Sequence, residues 1–285
     1  MEWSRIKTII LIILAILNGS LLFFLMQREL QNQSAQREAR QNAILFLREN
    51  GVSVEDETIP QEMTLLPQTL ECDREQERTA AAVLLGDEVQ EQAWSDEIYR
   101  YYNETGSIQF HRDGTFQGDF VEGAFPIGES TPSDYGLEVL DTLGFLGEET
   151  AVRSAQGEDP NSSVTYRQLW NGVPIFNHQV TLTFREGCLV TIEGRRLTGE
   201  PQEAAAQKAI SVPTALFQFY RGVVTLGDVC SQIDSVTPGY VTSAGSGPSA
   251  LTPVWHIVTD TRSYRLDLLT GTLSRADEEA GSEGG

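Results

Sequence analysis

The sequence predicts an α+β protein: an N-terminal transmembrane helix followed by a two-lobed ectodomain of helix-plus-antiparallel-sheet units. Three observations carry this expectation. One uncharged apolar run stands near the amino terminus. Beyond it, segments with helical patterning are each followed by short runs that alternate apolar and polar residues. Turn dipeptides such as Asp113-Gly114 and Asn171-Gly172 separate those runs.

The apolar run, TIILIILAILNGSLLFFLMQ, occupies residues 8–27 without a charge. Twenty residues at ~1.5 Å rise match a hydrocarbon core of ~30 Å. Arg5 and Lys7 precede it, while the mixed pair Arg28-Glu29 follows it. The positive-inside bias then leaves the first seven residues in the cytoplasm and the bulk of the chain outside. A cleaved leader could end near Asn18-Gly19-Ser20. However, the apolar residues 21–26 follow at once and no A-x-A pattern precedes a polar start, so a retained anchor is expected. Ala15 and Gly19 stand four apart with Asn18 beside them, which puts a small-xxx-small pair and an amide on one helix face. Small residues let a second helix come close, and an amide at that depth gains from a hydrogen bond across the contact. Ala15, Asn18 and Gly19 are therefore the expected partner-helix contact.

Residues 28–50 continue as a helical stalk that stops at Gly51, with its apolar far end (residues 43–47) able to dock on the domain. Residues 51–70 read as extended, punctuated by Pro60 and Pro67. A helix is expected over 73–85, followed by strands over 94–102, 106–111 and 115–121. The next helix is 133–143, followed by strands at 164–170, 174–184 and 188–197. In the middle strand Val180, Leu182 and Phe184 alternate with polar residues, the pattern of a sheet with one buried face. Residues 201–220 have helical tendency, interrupted by Pro213. Strands over 229–242, 251–259, 263–269 and 272–274 close the chain. The expected organisation is a cytoplasmic N-terminus at 1–7, the transmembrane helix at 8–27, a stalk at 28–50, a first lobe at 51–128, a second lobe at 129–276 and a disordered acidic tail at 277–285.

The formal charge of −21, with Lys7 and Lys208 the only lysines, disfavours nucleic acid as a partner. Cys72, Cys188 and Cys230 are widely spaced and show no C-x-x-C pattern, so neither a disulfide framework nor a thiolate metal site is expected. His111, His178 and His256 stand alone and read as strand or turn residues. No nucleophile elbow, P-loop or H-E-x-x-H is present. His111-Arg112-Asp113 matches a kinase catalytic loop in letters only, since no glycine-rich loop or DFG accompanies it. Glu148-Glu149 and Glu278-Glu279 read as solvated surface. The chain is expected to be non-enzymatic, without cofactor or metal.

The opening Met1-Glu2-Trp3-Ser4-Arg5-Ile6-Lys7-Thr8-Ile9, running straight into the apolar span, resembles the start of YycI proteins. The stretch Tyr166-Arg167-Gln168-Leu169-Trp170-Asn171-Gly172-Val173-Pro174-Ile175-Phe176-Asn177 resembles the same family, as do Leu251-Thr252-Pro253-Val254-Trp255-His256-Ile257 and the closing 267–273. YycI proteins are membrane-anchored regulators found beside the essential WalK/WalR (YycG/YycF) two-component system of Firmicutes. The resemblance implies a two-lobed α+β ectodomain and regulation without catalysis. It also implies contact within the membrane with a WalK-type sensor histidine kinase and a YycH-like protein, in the control of cell-wall metabolism. The alternative is a ligand-sensing module for a peptide or cell-wall fragment, with Trp170, Phe176 and Trp255 lining a cleft between lobes. At strand spacing such aromatics are more often core. A membrane-tethered hydrolase is disfavoured by the lack of any catalytic set.

Overall fold

The computed structural model describes residues 2–70, 74–86, 88–95, 98–145, 152–156, 161–197, 201–203, 208–243 and 249–276. Its architecture is α+β, built from three successive units in which a helix precedes a four-stranded antiparallel meander.

A single helix, α1 (Glu2–Glu49), comes first and β1 (Gln68–Leu70) follows. The first unit is α2 (Arg74–Leu85) with β2 (Gln90–Ser95), β3 (Ile98–Asn103), β4 (Gly106–His111) and β5 (Thr115–Phe120). The expected strand over 94–102 is instead the β2–β3 hairpin. Polar residues break the run there, and Ser95 pairs back onto Ile98. The second unit is α3 (Pro132–Thr142) with β6 (Val152–Gln156), β7 (Ser163–Trp170), β8 (Val173–Arg185) and β9 (Cys188–Arg195). Thr131 caps α3: its hydroxyl accepts the Asp134 N–H at 3.1 Å and donates to the Asp134 carboxylate at 2.8 Å. Asn171 and Gly172 both take positive φ (49° and 73°) in the two-residue turn between β7 and β8, the backbone that Asn-Gly favours.

The third unit is α4 (Val212–Thr225) with β11 (Ile233–Ser243), β12 (Ser249–Thr259), β13 (Ser263–Asp267) and β14 (Leu273–Arg275), and a short β10 (Pro201–Glu203) precedes it. Pro213 does not interrupt a helix over 201–220. It starts one, sitting in the first turn of α4, where a missing N–H costs nothing.

The sheet has the order β10-β1-β12-β11-β8-β9-β5-β4-β3-β2, with β6-β7 joined to β8 and β13-β14 joined to β12. Among the described residues its named strands pair antiparallel except at one place, where Tyr240 on β11 meets Ile175 on β8 in parallel. Two main buried clusters result. Residues 80–192 form one, in which α2 and α3 cover Ile108, Phe110, Phe116, Leu182 and Ile192 on one sheet face. The other gathers Ala43, Ile44 and Leu47 from α1, Ala215, Leu216 and Phe219 from α4, and Trp255, Ile257, Tyr264 and Leu266 from the third meander. We call these the large lobe and the anchor lobe. They cut across the expected division at 128–129, because the first two meanders share one core. The tail 277–285 lies outside the described residues.

Candidate functional site

Helix α1 carries the expected contact positions. It runs 48 residues without a break, ~72 Å at ~1.5 Å per residue, and among the described residues its buried side chains lie in its last turns. Leu14, Leu17, Leu21, Leu22, Phe23, Phe24 and Met26 are all about 60–70% exposed. Asn18 and Gly19 are exposed too, and nothing lies within 4 Å of where a Cβ on Gly19 would stand. The side chain of Ala15 lies outside the described residues, although positions 15 and 19 share a helix face. Among the described residues no helix is long and apolar enough to cross a membrane. The side chains at 8–13, 15, 16 and 25, which complete the apolar run, lie outside them.

The other end of α1 is built into the anchor lobe. Ala43, Ile44 and Leu47 are buried against Ala215, Leu216, Phe219 and Val223 of α4. The Phe46 ring stands 4.8 Å from Phe217 and meets the edge of Tyr220 at 5.3 Å. Two arginines fasten the helix to the segment that follows it. Arg40 donates to the carbonyls of Asp56, Ile59 (2.7 Å) and Pro60 (3.2 Å). Arg48 donates to the Val54 carbonyl at 2.6 Å and pairs with the Asp56 carboxylate at 2.7 Å. Each guanidinium bonds main-chain carbonyls of residues 54–60, which fastens the end of α1 to that segment.

A second polar constellation lies where the lobes meet. Two residues past the parallel pair, Asn177 of β8 acts as an extra rung: its amide donates to the Thr242 carbonyl (2.8 Å) and accepts the Thr242 N–H (3.0 Å). Beside it, His178 is buried, with Nε2 2.8 Å from the Thr242 hydroxyl and Nδ1 3.2 Å from Gln168 Oε1. The same Gln168 oxygen accepts the Leu197 N–H at 3.0 Å. It is therefore an acceptor, so Nδ1 carries the imidazole proton and Nε2 accepts from the Thr242 hydroxyl. Burial pushes the His178 imidazole down to about 3, assisted by Arg195 and opposed by Asp113. The ring stays neutral and serves as a structural hydrogen-bonding group.

The aromatics proposed to line a cleft are packed. Trp255 is fully buried, and Phe176 lies against His256 at 5.0 Å and under the Arg167 guanidinium at 5.7 Å. Trp170 packs on the small junction cluster of Leu65, Ile175, Tyr240 and Leu251. Asp113 of the His-Arg-Asp triplet binds Thr115 and, at 3.1 Å, Arg195. Burial alone would raise its carboxyl; the Thr115 and Arg195 hydrogen bonds outweigh that and hold it below the usual carboxylate range. This is a turn clasp without a reactive neighbour. Cys188 and Cys230 are free and half-buried, and Cys72 lies outside the described residues. Among the described residues no group of three or more His, Cys, Asp or Glu is placed to hold a metal.

Sequence reasoning missed Asn177, Thr242 and Gln168. A signal existed: Asn177-His178 puts two polar side chains in succession inside an apolar strand, and one of them must face inward.

No protein-family model and no curated protein matches the chain. Among the solved structures it is similar to are three, all at low identity. An uncharacterized protein from Eubacterium rectale is 11% identical, covers 79% of this chain and 89% of its own, and superposes with a TM-score of 0.46. The C-terminal domain of YpeB from Bacillus megaterium is 11% identical over 72% of this chain and 98% of its own, at 0.35. YycH from Bacillus subtilis is 10% identical over 70% of this chain and 52% of its own, at 0.33. No function passes from these likenesses to this chain.

Proposed function

We propose that the chain is a single-pass membrane protein, N-terminus in the cytoplasm and bulk outside, that regulates a partner by contact and without catalysis. The observation that carries this reading is the build of α1. One unbroken helix presents exposed leucines and phenylalanines over residues 14–26, and its far end is part of a folded core. A water-soluble protein rarely leaves so much apolar helix uncovered, whereas a bilayer solvates it.

The finer reading rests on the residues that resemble YycI. The partner is a WalK-type sensor histidine kinase of a cell-wall-controlling two-component system, engaged together with a YycH-like protein. Asn18 and Gly19 would offer the close approach to a neighbouring transmembrane helix. Regulation requires that this chain bind the two signalling states of the kinase unequally, since equal binding shifts nothing. Trp170, Phe176 and Trp255 are packed rather than lining a cleft, which counts against the ligand-sensing alternative.

Deleting the gene and following kinase-dependent transcription tests the proposal. A change in output, restored by the intact chain and not by one carrying Asn18→Leu and Gly19→Leu, is expected. Output identical to the parent strain would overturn it.

A further inference from the structure

The large lobe and the anchor lobe have separate cores that share no residue. Among the described residues the sheet between them narrows to a single parallel backbone pair, Tyr240 with Ile175. The small cluster around Ile175 and Tyr240 covers this neck, and the Tyr240 hydroxyl donates to the Leu66 carbonyl at 3.0 Å. At the neck Gly239 has no room for a side chain: a Cβ there would stand 2.3 Å from the Phe176 ring and 2.6 Å from the Pro174 carbonyl. Just beyond, the ladder continues through a side chain. Asn177 supplies both a donor and an acceptor to the Thr242 backbone, as the next residue of a paired strand would. His178 and Gln168 then tie Thr242 to Leu197 of the large lobe's exit segment.

We propose that this Asn177–Thr242–His178–Gln168 network is a latch that fixes the angle between the two lobes. The physical basis is the kind of contact involved. Apolar cores hold each lobe over many residues, while hydrogen bonds of one amide extend the neck by a rung. A side-chain rung can be released and remade without unpacking either core, which a continuous backbone ladder cannot. The anchor lobe carries α1, fastened by Arg40 and Arg48, so any change of angle at the latch changes the direction of α1 relative to the large lobe. Two packed bodies joined by one backbone pair, a small apolar cluster and a polar network match the general form of hinged domain pairs. The inference stands on the neck geometry alone and does not depend on what α1 contacts.

The experiment is a distance measurement between spin labels at Gln117, exposed on β5, and Arg221, exposed on α4. It uses the full chain in detergent with Cys72, Cys188 and Cys230 replaced by serine. The parent is expected to give one narrow distribution. Asn177→Ala, which loses both hydrogen bonds, is expected to broaden or shift it. Asn177→Asp keeps the shape and the acceptor but sets a carboxylate against the Thr242 carbonyl, and is expected to do the same. Near-ultraviolet circular dichroism should show both cores retained. An unchanged distribution in both variants overturns the latch. So does the joint loss of both cores in both variants, because the seam would then be part of one cooperative core. Failure of the regulatory proposal leaves these distances untouched, so the two ideas are judged apart.

Discussion

His178 is an ionisable group held neutral, and this has a measurable cost. Its imidazole is buried and pushed down to about 3, while an unfolded histidine titrates near ~6.5. The native state therefore refuses a proton that the unfolded chain accepts as pH falls below that value. Stability from this group is fully present above pH ~6.5 and is lost on the way down toward 3, at up to ~1.4 kcal/mol per pH unit. Relative to a His178→Gln variant, the parent should lose about 2 kcal/mol between pH 7 and pH 5 in urea denaturation. Parallel curves would refute the assignment. Gly239 offers a second test at this scale. Gly239→Ala puts a methyl into the Phe176 ring and the Pro174 carbonyl, and backbone cannot retreat cheaply, so a loss of about 1–3 kcal/mol or more is expected. A neutral effect in thermal melts would show that the neck is looser than described.

At the scale of the element, α1 makes two different claims on its surroundings. Its last turns are core: Leu47 is fully buried, whereas Leu45, two residues earlier, is half-exposed. Leu47→Ala should cost about 2–5 kcal/mol in denaturant titration, by lost burial plus a residual cavity. Leu45→Ala should stay within about 0.5 kcal/mol. Equal effects would mean that α1 does not dock on α4 by this face. At the other end, Asn18→Leu with Gly19→Leu adds bulk where Gly19 now has open space. The chain should fold as before and lose co-purification with its membrane partner; undiminished recovery would end the helix-contact idea.

The same contrast explains what the sequence made legible. Period-two alternation and turn dipeptides placed β7, β8 and β9 within a residue or two, and Gly51 marked the end of α1, because local rules decide those positions. The helix–meander repetition was readable for the same reason. Pro213 misled, since one proline can end a helix or begin it, and only the packing of Ala215, Leu216 and Phe219 chooses. The β2–β3 hairpin was hidden because β2 is exposed along its whole length and carries no buried face to give an alternating signal. The neck escaped altogether. Asn177 and Thr242 are 65 positions apart, and no local pattern announces a side chain that completes another strand's ladder.

For the whole molecule, the charge of −21 and the apolar helix pull in different directions. An acidic surface disfavours contact with anionic headgroups, so in the proposed arrangement it is α1 that meets the bilayer. The anchor lobe and α1 are one body by virtue of Ile44, Leu47, Arg40 and Arg48. Under the proposed anchoring, what happens to the helix within a membrane is passed to a folded lobe, and the reverse holds equally. All of this requires the helix to stay on the chain and in the bilayer. The direct measurement is mass spectrometry of the native protein from carbonate-washed membranes and from the culture medium. The account predicts the chain in the membrane pellet with residues before Ser20 still attached. Recovery of a soluble form that begins beyond Ser20 would contradict it.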